Sequence, residues 1–115
     1  MRTIHIVEDD ASVREAMQML IESHGFSTAT YGSGGSLLES SDLDSDDLVF
    51  LDLVLPDMTG FDLAETLSCR SAPPKVVVMS GCSRVDLDRL MRRNRPANFI
   101  RKPLAEKDIC GYLEA

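Results

Sequence analysis

The sequence predicts an α/β fold, an open parallel β-sheet with helices on both faces. Three observations predict it. Short apolar runs alternate with segments of helical period, strand then helix, about every twenty to thirty residues. The run Leu48-Val49-Phe50-Leu51 is apolar throughout, so both faces of that strand need covering, as in a parallel sheet between helix layers. Acidic, hydroxyl or basic residues follow the strand candidates, as they do where parallel strands end together at one edge. A chain of 115 residues with 43% hydrophobic content is enough for one domain with one core.

Each element has its own signal. Thr3 to Val7 reads as a buried strand. Ser12 or a nearby acid can cap the next helix, with Glu15 completing a capping box. Val13, Met17, Leu20 and Ile21 form that helix's apolar stripe, and Gly25 ends it. Ser27 to Tyr31 alternates weakly as a second strand. Gly32, Gly34 and Gly35 open a poorly formed helix around Leu37 and Leu38. Ser40 to Asp47 holds four aspartates and reads as a polar, mobile loop. Leu48 to Leu51 is the central strand and Leu53 to Gly60 a loop. Phe61, Leu63, Ala64 and Leu67 line the next helix, which Pro73-Pro74 follows. Lys75 to Met79 is a fourth strand. Val85, Leu87, Leu90 and Met91 suggest a surface helix. Ala97 to Ile100 is a short fifth strand, and Ala105 to Leu113 a last helix.

Charge and composition exclude several functions. The net charge of -7 disfavours direct nucleic-acid contact, because phosphate backbones need Lys and Arg. No apolar run approaches the roughly 18 residues of a membrane span, and the N-terminus lacks the pattern of a signal peptide. Cys69, Cys82 and Cys110 match no zinc spacing. Their odd number fits reduced thiols in a cytoplasmic protein, each a packing or surface residue rather than a nucleophile.

Right-handed crossovers put the carboxyl end of every strand on one edge. That edge would collect Glu8, Asp9, Asp52, Ser80 and Lys102. Magnesium takes oxygen ligands in a near-octahedral shell and keeps several waters. Asp9, Asp52, one backbone carbonyl and waters would complete such a shell, with Glu8 holding a metal-bound water. Without the metal, like charges there raise one another's proton affinity. Asp52 is the candidate nucleophile, since a carboxylate can attack phosphorus to give an aspartyl-phosphate. Such transfer is mostly positioning and charge neutralisation. Lys102 can pair with a phosphoryl oxygen as a point charge, and Ser80 can donate its hydroxyl to another. The competing structural readings are a Lys102 salt bridge to a buried carboxylate, a helix-capping Ser80 and a core Phe99. Leu53 should face the core or the flank of the site, and Gly60 should permit a backbone shape or close approach denied to larger residues.

These residues together resemble the receiver domain of bacterial two-component response regulators. The resemblance covers nearly the whole chain: Glu8-Asp9 after the first strand, Asp52 with Pro56 and Gly60 after the third, Ser80 after the fourth, and Lys102-Pro103 after the fifth. It implies a (βα)5 flavodoxin-like three-layer sandwich with a five-stranded parallel sheet in order 2-1-3-4-5. It implies that Asp52 accepts phosphate from a histidine kinase or phosphotransfer protein. Asp9, Asp52 and the Val54 carbonyl would ligate Mg2+, with Mn2+ as a substitute and Glu8 acting through water. Ser80 takes the family's hydroxyl role and Phe99 its aromatic switch position, and the Lys102-Pro103 bond is expected to be cis. Asp10 fills a third, less constrained acidic position. The face made by the fourth helix, fifth strand and fifth helix would then change to control an output domain or partner, DNA-binding or a second copy of the chain.

The first strand and helix look most like receivers joined to helix-turn-helix transcription factors. Residues 1–115 would be a single receiver domain, either standing alone or excised from a longer regulator. The Ser83 to Arg95 stretch departs from the family pattern, with Arg84, Arg89, Arg92, Arg93 and Arg95 beside Asp86 and Asp88. This puts the usual dimerisation surface in doubt and could mark a distinctive partner face, although a solvated helix laced with ion pairs is the favoured reading. Two alternatives stand beside the phosphorylated switch. One is a phosphorylation-independent interaction module on the same fold. The other is a haloacid-dehalogenase-like phosphatase, disfavoured because Val54 stands where such enzymes carry a second Asp.

Overall fold

The computed structural model describes residues 2–40, 43–81 and 98–113. Five strands, β1 (Thr3–Val7), β2 (Ser27–Tyr31), β3 (Leu48–Asp52), β4 (Lys75–Ser80) and β5 (Phe99–Arg101), form one sheet in the order β2-β1-β3-β4-β5. Every pairing is parallel. The described helices are α1 (Ala11–Ser23), α2 (Gly34–Leu38), α3 (Gly60–Ser68) and the C-terminal α4 (Glu106–Leu113). The expected order and parallel sheet are therefore present.

The period-two geometry of a strand explains the layering. Ile4 and Ile6 of β1, Leu48 and Phe50 of β3, and Val77 and Met79 of β4 point to one face, where they pack with Met17 and Ile21 of α1 and Ile109 and Leu113 of α4. Their neighbours Val7, Val49, Leu51 and Val78 point to the other face, against Leu37 of α2 and Leu63 and Leu67 of α3. β3 is central and buried along its whole length, which is why its sequence shows no alternation.

Local signals set the element ends. Of the two caps the sequence allowed for α1, the acid is used: Asp10 accepts from the Ser12 and Val13 amides at 2.9 and 3.3 Å. Gly25 follows α1 with φ +87°, a left-handed conformation suited to glycine. α2 is only five residues long, capped by Ser33. The strands run slightly further than the pattern suggested: β3 includes Asp52, β4 includes Ser80 and β5 includes Arg101.

At the end of the acidic segment before β3, Asp47 departs from the solvated polar loop expected. Asp47 is buried, and its carboxylate accepts from the Thr3 amide at 3.0 Å and the Asp44 amide at 3.2 Å. It also contacts His5 Nε2 at 2.9 Å, while His5 Nδ1 lies 3.2 Å from the Tyr31 hydroxyl. A buried carboxylate persists where such partners satisfy it. The expected helix over Val85 to Met91, the arginine-rich stretch to Arg95, Cys82 and Ala97 lie outside the described residues. No helix among the described residues is long and apolar enough to cross a membrane.

Candidate functional site

β1 and β3 are adjacent in the sheet and end together, so the residues that follow or finish them share one edge. Glu8 follows β1. Its amide donates to the Tyr31 carbonyl at 3.0 Å, continuing the β1–β2 ladder past the strand end. The Arg14 guanidinium donates to the Glu8 carbonyl at 2.7 Å, and the Asp10 amide to the Glu8 carboxylate at 3.2 Å. These contacts fix the turn, leaving Glu8 buried and Asp9 exposed.

Asp52 is the last residue of β3 and is 7% exposed. Its register partner on β4 is Met79. Leu53 follows into the core, 2% exposed, with its amide donating to the Met79 carbonyl at 2.8 Å. Asp52 is thereby held between paired or packed neighbours on a central strand. Val54 is exposed and bridges to Thr59, closing the loop between β3 and α3. Gly60 opens α3 with its amide donating to the Leu53 carbonyl at 2.6 Å. A Cβ at Gly60 would stand 2.5 Å from the Asp52 carbonyl oxygen and 2.8 Å from Leu53 Cα. The glycine is required there by close approach of two backbones.

Lys102 reaches the same point from the end of β5. Its ammonium donates to Glu8 Oε2 at 2.7 Å and to Asp52 Oδ2 at 3.2 Å. Its own amide donates to the Ser80 carbonyl at 2.8 Å, and the Lys102-Pro103 peptide is cis. Ser80 is buried at the end of β4. Phe99, on β5, is half-buried against the core layer beneath α2 and α3. The sequence-level alternatives for Lys102 thus meet in one arrangement: it is a salt-bridge partner of buried carboxylates at the very edge where those acids converge.

The electrostatics follow from this crowding. Glu8, Asp9 and Asp52 each offer a carboxylate oxygen, all within 4.8 Å of one another. Burial raises the Glu8 pKa above its ordinary value, and the nearby Asp52 charge adds to that, together outweighing the Lys102 hydrogen bond. Burial alone would depress the Lys102 pKa, yet the Glu8 hydrogen bond and the charges of Asp52 and Glu8 raise it, so the amine stays protonated. Two carboxylates therefore share the Lys102 ammonium, and the Asp9 carboxylate lies beside them. All the donors are hard oxygens from two adjacent strand ends, the chemistry that suits a small divalent cation such as magnesium.

Two residues take positioning roles that the sequence alone does not assign. Arg14 anchors the Glu8 turn from the first turns of α1. Asp57, in the loop after β3, accepts from the Gly34 and Gly35 amides at 3.0 and 2.8 Å, tying that loop to the start of α2. Its pKa lies below the ordinary carboxylate value, chiefly through the Gly35 hydrogen bond. Arg14 was visible as a basic residue six positions after Glu8. Nothing in the spacing marks Asp57.

The response regulator receiver domain family model matches residues 4–114. The chain belongs to that family. Among curated proteins, this receiver domain is 33% identical over 112 residues to the DNA-binding response regulator MtrA of Mycobacterium tuberculosis, covering 97% of the chain and 49% of that protein. It is 29% identical over 116 residues to the sensory transduction protein RegX3 of Mycolicibacterium smegmatis, covering 100% of the chain and 50% of that protein. The chain spans about half the length of the curated relatives it matches. Among solved structures, the CheY-like receiver domain from Methylobacillus flagellatus superposes with a TM-score of 0.82 at 28% identity, covering 99% of this chain and 97% of that one. The crystal structure of FixJ-N gives a TM-score of 0.83 at 25% identity, covering 99% and 91%. The receiver-like, three-layer fold expected from the sequence is thus shared with its relatives.

Proposed function

We propose that this receiver domain is a phosphorylation-controlled switch whose phosphoacceptor is Asp52. The observation that carries the reading is the convergence of Lys102 on both Glu8 and Asp52 at the strand edge, with Asp9 beside them. In the transfer, an Asp52 carboxylate oxygen attacks the phosphorus of a phosphohistidine on a histidine kinase or phosphotransfer protein. The P–O bond forms as the P–N bond breaks, and the imidazole nitrogen keeps the electron pair. Asp9, Asp52 and the Val54 carbonyl would hold Mg2+ (or Mn2+), with Glu8 acting through water; when bound, the ion would supply charge neutralisation for the transfer.

This chain's own residues do the rest. Lys102 exchanges a carboxylate oxygen for a phosphoryl oxygen, keeping its charge paired. Ser80 donates its hydroxyl to another phosphoryl oxygen. Movement of the Ser80 loop would let Phe99 turn inward and alter the surface around β5 and α4, a population shift biased by one covalent event. The Ser83 to Arg95 stretch, expected from the sequence to complete this surface, lies outside the described residues. The output is a binding change in an attached DNA-binding half, a partner or a second copy of the chain. The domain would act in the cytoplasm with no nucleic-acid contact of its own, consistent with its acidic charge.

The test is labelling by acetyl phosphate with magnesium present. Asp52→Asn should keep its far-ultraviolet circular dichroism and lose all labelling. Full stoichiometric labelling of the variant on another residue would refute the assignment.

A further inference from the structure

Away from the acid-lined edge, His24, Glu106 and Cys110 bring a nitrogen, an oxygen and a sulfur ligand within 4.8 Å of one another. Glu106 and Cys110 are four residues apart on α4, so they share one face of that helix. His24 is the C-cap of α1. His24 Nε2 lies 3.3 Å from Glu106 Oε1 and 3.2 Å from Cys110 Sγ. We propose that these three side chains form a transition-metal site for zinc, bridging α1 and α4, with water in the fourth position.

Geometry, charge and ligand chemistry support the assignment. Zinc bond lengths to nitrogen, oxygen and sulfur place the ligand atoms of a tetrahedral site about 3.3–3.6 Å apart. The two His24 separations come within roughly 0.4 Å of the corresponding edges with no change of backbone. A single imidazole nitrogen faces both a carboxylate and a sulfur. Its lone pair can meet a cation that the carboxylate and the sulfur also bind, which would draw all three ligand atoms onto one centre. A thiolate and a carboxylate neutralise a divalent ion, so the loaded site carries no net charge. The carbonyl-rich C-terminus of α1 also favours a cation beside His24. Access is open, since the His24 and Glu106 side chains are 39% and 66% exposed. The soft sulfur and imidazole ligands select zinc over magnesium, so this site and the hard-oxygen edge would not compete for the same ion.

Cobalt(II) is the probe, because a thiolate–cobalt bond absorbs in the near ultraviolet. The full chain is kept reduced with a sulfur-free reductant and titrated with cobalt while magnesium is in excess. The expected result is a charge-transfer band that saturates at one equivalent and is erased by zinc. Cys110→Ser should lose the band, and Cys69→Ser and Cys82→Ser should keep it. His24→Ala should weaken cobalt binding by at least about ten-fold, the floor known from groups that only support a ligand. All these positions except Cys82 are described as exposed or half-exposed, and circular dichroism checks that each variant folds. No band in the wild-type chain, or a band that survives Cys110→Ser, overturns the proposal.

Discussion

Replacing Gly60 by Ala tests how tightly the candidate phosphoacceptor strand is packed against α3. The new methyl would meet the Asp52 carbonyl oxygen at 2.5 Å, Leu51 Cδ1 at 2.8 Å and Leu53 Cα at 2.8 Å. Two of these are backbone atoms at and just beyond the end of the central strand, which cannot rotate aside. Relief therefore requires α3 to withdraw, which lengthens the 2.6 Å hydrogen bond from the Gly60 amide to the Leu53 carbonyl. Overpacking of this kind costs about 1–3 kcal/mol, and a weakened hydrogen bond adds about 1 kcal/mol. The better helix propensity of Ala returns at most about 1 kcal/mol. The net expectation is a loss of about 1–3 kcal/mol. Gly111 supplies the internal control: it is exposed within α4, and its added Cβ would meet nothing within 4 Å. Gly111→Ala should stabilise by about 0.5–1 kcal/mol. Urea unfolding followed by circular dichroism measures both, suited to a chain without Trp. If Gly60→Ala were as stable as wild type, or if the two substitutions shifted stability the same way, the steric reasoning would fail.

Three further outcomes are expected. Burial pushes the Asp47 carboxyl up, but the hydrogen bonds from His5, Thr3 and Asp44 outweigh it and hold the group below its ordinary pKa. A carboxyl whose pKa is lower folded than unfolded stabilises the fold above its unfolded pKa and loses that contribution as pH falls through the folded value. Asp47→Ala should therefore cost about 2–4 kcal/mol at neutral pH, with the gap to wild type narrowing below about pH 4, as read from unfolding curves across pH. Lys102→Met should cost about 1–3 kcal/mol, less than for a fully buried pair because the side chain keeps some solvent contact. Adding Glu8→Gln should recover part of that loss, and strict additivity in the double-mutant cycle would refute a shared ion pair. Asp57→Ala should speed amide hydrogen exchange at Gly34 and Gly35 while leaving α1 protection unchanged, since its carboxylate holds those α2 amides.

The strands were legible wherever burial on both faces left an unbroken apolar run, as in Leu48 to Leu51. Their ends shifted by a residue because Asp52, Ser80 and Arg101 are polar yet still paired in the sheet. The convergence of the candidate site was legible in a different way. Glu8 and Lys102 are 94 residues apart, and only the rule that parallel strands end on one edge brings them together. What stayed hidden depended on partners that no local pattern connects. Asp47 looked like one more acid in a polar loop because Thr3 and His5 lie 44 and 42 residues away. Cys110 matched no zinc spacing because His24 is 86 residues distant and on another helix. The strand order came from the family resemblance, not from periodicity, since apolar runs alone do not say which strand lies beside which.

The His5 contacts carry a consequence for how β1 finds its place. A strand greasy on both sides can slide along its neighbours without exposing anything oily, so the usual penalty for misalignment is weak. His5 breaks that degeneracy. In the native pairing it sits opposite Ala29 and Val49 and meets both Asp47 and Tyr31. Sliding by one position would turn the imidazole toward Phe50 and strand the Asp47 carboxylate. One hydrophilic side chain acts as a key cut for a single notch, and alignment of three strands rests on it.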